Sequence, residues 1–185
     1  MSSALEREIK LRFDGPASAR AAVVAAGAVP LRPRRMQSDA LFDTEEGILS
    51  ARRQVLRVRV EEGHSFVTFK SPAPHPTMKL REELETGVAD GGLLVAILER
   101  SGFRIWFRYE KYREEYSLGD VVVAIDETPI GTFVELEGSD HGIAAAASGL
   151  DRRPADYILE SYRSLFVRFC EERGRKASDM VFARE

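Results

Sequence analysis

Glu6, Glu8, Lys10 and Arg12 recur at every second position of one short segment. Residues two apart in a β-strand share a face, so all four side chains would project together. The pattern returns along the chain as Arg57 and Arg59; Lys70; Arg81, Glu83 and Glu85; Lys111, Arg113 and Glu115; Asp126; then Glu135 and Glu137. A half-exposed antiparallel sheet gives a similar alternation, apolar inside and charged outside. Two features count against that reading. These faces carry almost only Glu, Asp, Arg and Lys, with little Ser, Thr, Asn or Gln. Like charges are also grouped: Glu6/Glu8, Glu83/Glu85 and Glu135/Glu137 are acidic pairs, Arg57/Arg59 and Lys111/Arg113 basic ones. Such neighbours repel, and a surface built for solubility intersperses signs. If the sheet curls into a barrel, the charges point inward and must be paired or neutralised by something bound. The basic pairs suit a polyanion, with arginine offering bidentate forks to phosphate oxygens. The acidic pairs suit a hard divalent cation, Mg²⁺ or Mn²⁺. Metal and phosphate together imply phosphoryl transfer or hydrolysis.

The elements that must position these residues read as α+β, with a largely antiparallel sheet and helices outside it. Alternation predicts a strand over Glu6 to Phe13. Pro16 opens an alanine- and valine-rich helix that Gly27 closes. Ala40 to Asp43 reads as a short strand. Gln54 to Val60 and Ser65 to Lys70 are strands joined by a turn at Glu61-Glu62-Gly63-His64. Ser71 to Thr77 holds three prolines and reads as a loop. Lys79 to Thr86 is a strand. Asp90 caps a helix through Leu93, Leu94, Ile97 and Leu98, ended by Gly102. Ile105 to Ser117, Val121 to Glu127 and Thr132 to Glu137 are close-spaced strands, the first two joined at Gly119-Asp120. An alanine-rich helix stops at Gly149. A last helix begins at Pro154, with Tyr157, Ile158, Ser161, Tyr162, Leu165, Phe166 and Phe169 on one stripe. The strand faces opposite the charges hold Ile9, Leu11 and Phe13; Leu56, Val58 and Val60; Val67 and Phe69; Leu80 and Leu84; Val121, Val123 and Ile125; Val134 and Leu136. They predict a cover of helices. Arg7, Glu82 and Glu114 break the pattern.

The chain has 185 residues and a net charge of −3, enough for one ordinary domain, 1–185, with a real core. The balance argues against a general nucleic-acid binder. Arg32, Arg34 and Arg35, broken by Pro33, read as a solvated loop or an anion-steering rim. One cysteine, Cys170, fits a reducing compartment and a packing role. No apolar signal core or membrane span is present, so cytoplasm is the default. His64, His75 and His141 fall in turn or loop positions and are assigned to the surface.

Glu6-Arg7-Glu8-Ile9-Lys10 resembles the Glu-x-Glu-x-Lys signature of the CYTH superfamily, the triphosphate tunnel metalloenzymes. The similarity continues through Gln37-Ser38-Asp39, Leu56-Arg57-Val58-Arg59, Thr68-Phe69-Lys70 and Arg81-Glu82-Glu83-Leu84-Glu85. It runs on through Ser101-Gly102-Phe103, Lys111-Tyr112-Arg113, Ile125-Asp126, Gly131 to Glu137 and Ser161-Tyr162. The stretch from Gly102 to Glu137 is most similar to the class IV adenylyl cyclase-like branch. The resemblance implies a closed, eight-stranded antiparallel barrel with helices packed outside. It implies metal ligands at Glu6, Glu8, Glu135 and Glu137, with Asp126 beside them and Glu83 and Glu85 holding a second metal or orienting water. Lys10, Arg57, Arg59, Lys70, Lys111 and Arg113 would clamp the phosphates, with Arg81 as a further member. Glu6, Glu8, Lys10 and Asp126 form the catalytic set. Arg163-Ser164-Leu165 departs from the more acidic run expected after Ser161-Tyr162.

Metal-dependent hydrolysis of a triphosphate (inorganic triphosphate, thiamine triphosphate or a nucleoside triphosphate) is the favoured activity. A class IV adenylyl cyclase would use the same clamp, with the ribose 3′-hydroxyl attacking the α-phosphorus of ATP. It needs a nucleoside pocket, for which Trp106, Tyr109 and Tyr112 are stacking candidates. A non-catalytic polyphosphate-binding module predicts missing carboxylates, and an apolar-ligand barrel predicts an apolar lumen. The expected partner is a small triphosphate-containing molecule, with no nucleic acid and no membrane. A homodimer through a sheet edge or the last helix is left open.

Overall fold

The computed structural model describes residues 4–73 and 79–183. Eight strands close into an antiparallel barrel in the order β1-β5-β4-β3-β2-β6-β7-β8. They are β1 Ala4–Phe13, β2 Val29–Thr44, β3 Val55–Glu61, β4 His64–Ala73, β5 Lys79–Val88, β6 Phe103–Leu118, β7 Val121–Thr128 and β8 Gly131–Glu137. The helices are α1 Pro16–Ala25, α2 Ile48–Ala51, α3 Gly91–Arg100, α4 Asp140–Gly149 and α5 Tyr162–Glu171. No helix among the described residues is long and apolar enough to cross a membrane.

Local chemistry sets most boundaries. Between β3 and β4, Glu62 and Gly63 both take positive φ, 49° and 79°. That double left-handed conformation twists a two-residue hairpin to match its strands, and glycine adopts it at little cost. Asp90 accepts from the Leu93 amide at 2.9 Å and starts α3. Ser139 and Ser161 cap α4 and α5 through the Gly142 and Ser164 amides. Each such cap satisfies an otherwise orphaned donor.

Five expectations need correction. Ala40 to Asp43 is the end of a 16-residue strand, β2, which also contains Arg32, Arg34 and Arg35. The prolines that suggested a loop coincide with register shifts at Pro30/Arg32 and Arg32/Arg35, where the strand bulges and resumes pairing with β6. Ser71 to Ala73 continue β4; the rest of the expected proline loop, with His75, lies outside the described residues. The last helix does not start at Pro154, where Pro154–Asp156 form only a 3₁₀ turn. Ile158 instead makes a two-way backbone bridge with Lys10, donating at 2.9 Å and accepting at 3.0 Å, and Ser161 starts α5. His141 lies exposed in α4 and His64 opens β4.

The fifth correction concerns the outer wall. Ile9, Leu11, Val123, Ile125, Val134 and Leu136 are buried with Ala19 and Val23 of α1 and with Ile143, Ala146 and Ala147 of α4. Val60 and Leu84, on the other side, remain 45% and 46% exposed. The helices that cover apolar strand faces are concentrated over β1, β7 and β8, and α3 leaves its own Leu93 and Ile97 outside. A second cluster joins lumen-side Leu41, Phe107, Tyr109 and Phe133 to Tyr162, Leu165, Phe166 and Cys170 of α5, and to Met180. Here α5 closes over the barrel, and the free Cys170 is packing. The pattern-breaking charges point outward: Arg7 pairs with Asp140 at 3.1 Å and Glu114 with Arg20 at 2.7 Å. Glu82 accepts from Ser71 at 3.3 Å.

Candidate functional site

A cavity of about 560 Å³ runs inside the barrel. Its wall includes Glu6, Glu8, Lys10, Arg57, Arg59, Lys70, Arg81, Glu83, Glu85, Lys111, Arg113, Glu135 and Glu137. Seven strands contribute side chains at alternate positions. Strand parity therefore brings together most of the charges expected from sequence; Arg12, which lies over the Phe133 ring, Glu115, which pairs with Arg35, and Asp126 do not line the cavity.

The charges are ordered by register. Glu8 lies directly opposite Glu137 across β1 and β8, and Lys10 opposite Glu135. Lys70 lies opposite Glu83. Lys10 Nζ donates to Glu8 at 3.0 Å and pairs with Glu135 at 3.1 Å. Lys70 bridges Glu6 at 2.6 Å and Glu83 at 2.9 Å. Arg57 donates to Thr68 at 3.0 Å and to Glu85 at 3.3 Å. Arg113 also pairs with Glu135.

Burial pushes the Glu8 and Glu135 carboxyls up, yet the ammonium and guanidinium groups around them win and hold both below the ordinary range. Lys10 is raised for the reciprocal reason, its two carboxylates outweighing burial. Lys111 goes the other way: burial and the Arg113 charge bring it down to about 8, against the pull of Asp126 and Glu135. Glu137 is raised to about 7, by surrounding protein first and then by Glu6, Glu8 and Glu135, with Lys70 opposing. The residue as a whole is exposed, but its carboxyl faces into the acidic flank. This flank therefore holds more negative charge than its lysines neutralise.

Asp126 is one of those exceptions. It is completely buried and does not line the cavity. It accepts from Lys111 at 2.7 Å, from Arg113 at 2.7 and 2.6 Å, and from the Tyr162 hydroxyl at 2.7 Å. Saturated by four donors, it is placed to anchor the clamp from behind; a metal ion would have to displace those partners. Asp39 stands in the same relation to the other basic pair, binding Arg59 at 2.9 Å and Arg57 at 3.4 Å. Sequence reasoning noted Asp39 without giving it a task. It also passed over Lys79, which lines the cavity and pairs with Glu8. Extending the β5 row of Arg81, Glu83 and Glu85 back by two positions would have found it. Burial, Lys10 and Arg81 bring Lys79 down to about 8, with Glu8 opposing. Among the three candidate stacking residues, Trp106 and Tyr109 border the cavity; Tyr112 lies under Arg34 and against Phe182 instead.

Among the described residues no three carboxylates form a ligating cluster, because lysine and arginine occupy them. That arrangement still fits Mg²⁺ or Mn²⁺. Such ions are commonly held by one or two carboxylates, with substrate phosphate oxygens and water completing the shell.

The chain belongs to the CYTH family, whose domain model matches residues 4–162. A curated relative from Methanocaldococcus jannaschii, named "Putative adenylate cyclase", is 33% identical over 107 residues, 57% of this chain. The chain spans 61% of that relative's length. Among solved structures, a protein from Vibrio parahaemolyticus described as a "putative adenylate cyclase" superposes with a TM-score of 0.77 at 19% identity, covering 89% of this chain and 98% of the other. A "putative adenylyl cyclase" from Hippeastrum, described as having a dominant triphosphatase activity, gives 0.64 at 19% identity, with 93% and 97% covered. These two likenesses confirm the closed antiparallel tunnel as the fold.

Proposed function

We propose that this chain, taken as one tunnel domain over 1–185, hydrolyses a triphosphate with the help of a divalent cation, Mg²⁺ or Mn²⁺. One observation carries the reading: Lys10, Arg57, Arg59, Lys70, Lys111 and Arg113 line the same cavity as the acidic flank of Glu6, Glu8, Glu135 and Glu137. A polyanion entering that space would take over the cations and leave the carboxylates free for metal. Glu8, Glu137, Glu6 and Glu135 would hold the ion, with Glu83 and Glu85 available to a second. The bound cation would supply charge neutralisation on the phosphate oxygens.

The remaining work falls to side chains. The three arginine forks and three lysines fix the triphosphate so that its terminal phosphorus meets a water in line. Positioning and preset electrostatics would supply most of the acceleration. Asp39 and Asp126 keep the guanidiniums from swinging away. Hydrolysis is preferred over cyclisation because these residues address phosphates alone, and cyclisation also demands a positioned ribose hydroxyl. The test is incubation with tripolyphosphate, thiamine triphosphate and ATP, each with Mg²⁺ or Mn²⁺, measuring phosphate, pyrophosphate and cyclic AMP. Phosphate release that stops with EDTA and returns with added metal is expected. Pyrophosphate with cyclic AMP would replace this reading by the cyclase; inactivity with retained polyphosphate binding would replace it by a binding module.

A further inference from the structure

Beside the charged cavity lies a smaller one of about 230 Å³. The two share a wall made of Trp106, Phe107 and Arg163. Beyond that wall the chamber is lined by Phe166, Val167 and Ala177, with Ser178 and Asp179 supplying polar atoms. Its volume falls below the ~300–1,000 Å³ of sites that take a whole ligand. It is the size of a subsite.

Arg163 differs from the lysines and the paired arginines of the clamp. Its guanidinium lies 4.3 Å from the centre of the Trp106 ring and 5.7 Å from that of Phe107. Its Nε, like that of Arg57, is enclosed without an acceptor, but Arg163 has no carboxylate beside it. Burial alone lowers its pKa; no neighbouring carboxylate acts on it. Lys10, Arg57, Arg59, Lys70, Lys111 and Arg113 are all engaged by acids. Arg163 thus keeps an unspent donor at an aromatic surface, next to the place where a triphosphate would lie. Flat rings stack on tryptophan and on guanidinium planes, and their ring nitrogens and carbonyls accept hydrogen bonds.

We infer that the Trp106–Arg163 wall and the chamber behind it form the subsite for a flat heteroaromatic group carried beyond the phosphates, making Arg163 a specificity-determining residue. This rests on the triphosphate reading above and narrows it to organic triphosphates in preference to inorganic tripolyphosphate.

Trp106 is the chain's one tryptophan, so its fluorescence reports on this wall without any turnover. Titration with ATP is expected to change Trp106 emission strongly; tripolyphosphate is expected to change it little. In the steady state, Arg163→Met and Trp106→Leu should each lower the ratio of kcat/KM for ATP to that for tripolyphosphate by about tenfold. The two variants disturb packing differently, so a shared fall in the ratio would not come from misfolding. Equal emission changes with both compounds, or a ratio that stays within about twofold of the wild type, would overturn the subsite. If tripolyphosphate is cleaved and ATP leaves Trp106 unchanged, the subsite fails and the hydrolase stands. If neither compound is cleaved but ATP alone shifts the emission, the hydrolase fails and the subsite stands.

Discussion

Two charged regions share the inward sides of this barrel and behave differently. On β2, β3 and β6, Arg35 pairs with Glu61 at 2.9 Å and with Glu115 at 2.8 Å, while Arg32 and Gln37 also reach Glu61. Arg35, Gln37 and Glu61 are all buried, and none lines the cavity. Here each cation meets its carboxylates in a buried knot, although Arg35 Nε and Gln37 Oε1 have no hydrogen-bond partner. Around the cavity the same residue types leave a remainder: two glutamates face each other across β1 and β8, and Glu137 is driven up to about 7. Charge type does not separate structure from function in this molecule; access to the cavity and crowding of like charge do. A buried ionic network closed off from the cavity specifies packing, and one that lines it with a strongly perturbed carboxyl is a candidate ligand site.

The largest expected effect breaks the cavity side. Glu8→Ala should lower kcat/KM for the preferred triphosphate by on the order of 10²–10³, checked by phosphate release. The fold should persist with a moderate loss of stability, because Lys10 keeps Glu135 while Lys79 loses its Glu8 partner. Large activity with this substitution would remove Glu8 from the metal-holding set. Next, Asp126→Asn should destabilise the fold by about 3 kcal/mol, since it leaves Lys111 and Arg113 short of a buried counter-charge. Denaturant melts would show it, and triphosphate affinity should fall with it. Unchanged stability would mean that Asp126 does not anchor the clamp.

On the knot side, Glu61→Gln should cost about 1–3 kcal/mol while phosphate release continues, unlike in Glu8→Ala. Loss of turnover in a folded Glu61→Gln protein would join the knot to the site. The smallest effect sharpens the same point through pH. Burial pushes Glu61 up, but Gln37 and Arg35 bring it down from 4.5 to about 2. A carboxyl depressed on folding contributes stability above its unfolded value and loses it as pH falls toward the folded one. Between about pH 4.5 and pH 2, the wild type should therefore lose stability more steeply than Glu61→Gln. Parallel acid melts would contradict this.

The strand faces were legible because parity needs only neighbouring residues: Glu6, Glu8 and Lys10 had to share a side once β1 was a strand. What parity cannot supply is register. Glu8 meeting Glu137, and Asp126 sinking beneath Lys111 and Arg113, depend on how strands slide past one another when a barrel closes. β2 was shortened for a related reason. Pro30 and Pro33 argue locally against pairing, and bulges against β6 accommodate them. The expected α5 was lengthened because Tyr157 and Ile158 fit a helical stripe, while Ile158 is claimed by a backbone bridge to a residue far away in sequence. Arg163 was visible only as a departure from expectation; its stacking on Trp106 joins a helix to a strand that no local pattern links.

The Lys10–Ile158 bridge carries a further consequence. β1 borrows partners from β5, from β8 and from Ile158. The ribosome therefore releases the first strand long before its neighbours exist. The clamp lysine it carries can be enclosed only after Ile158 has emerged, and contacts so distant along the chain slow assembly. β1 is therefore sealed into the wall only once β5, β8 and Ile158 are all present.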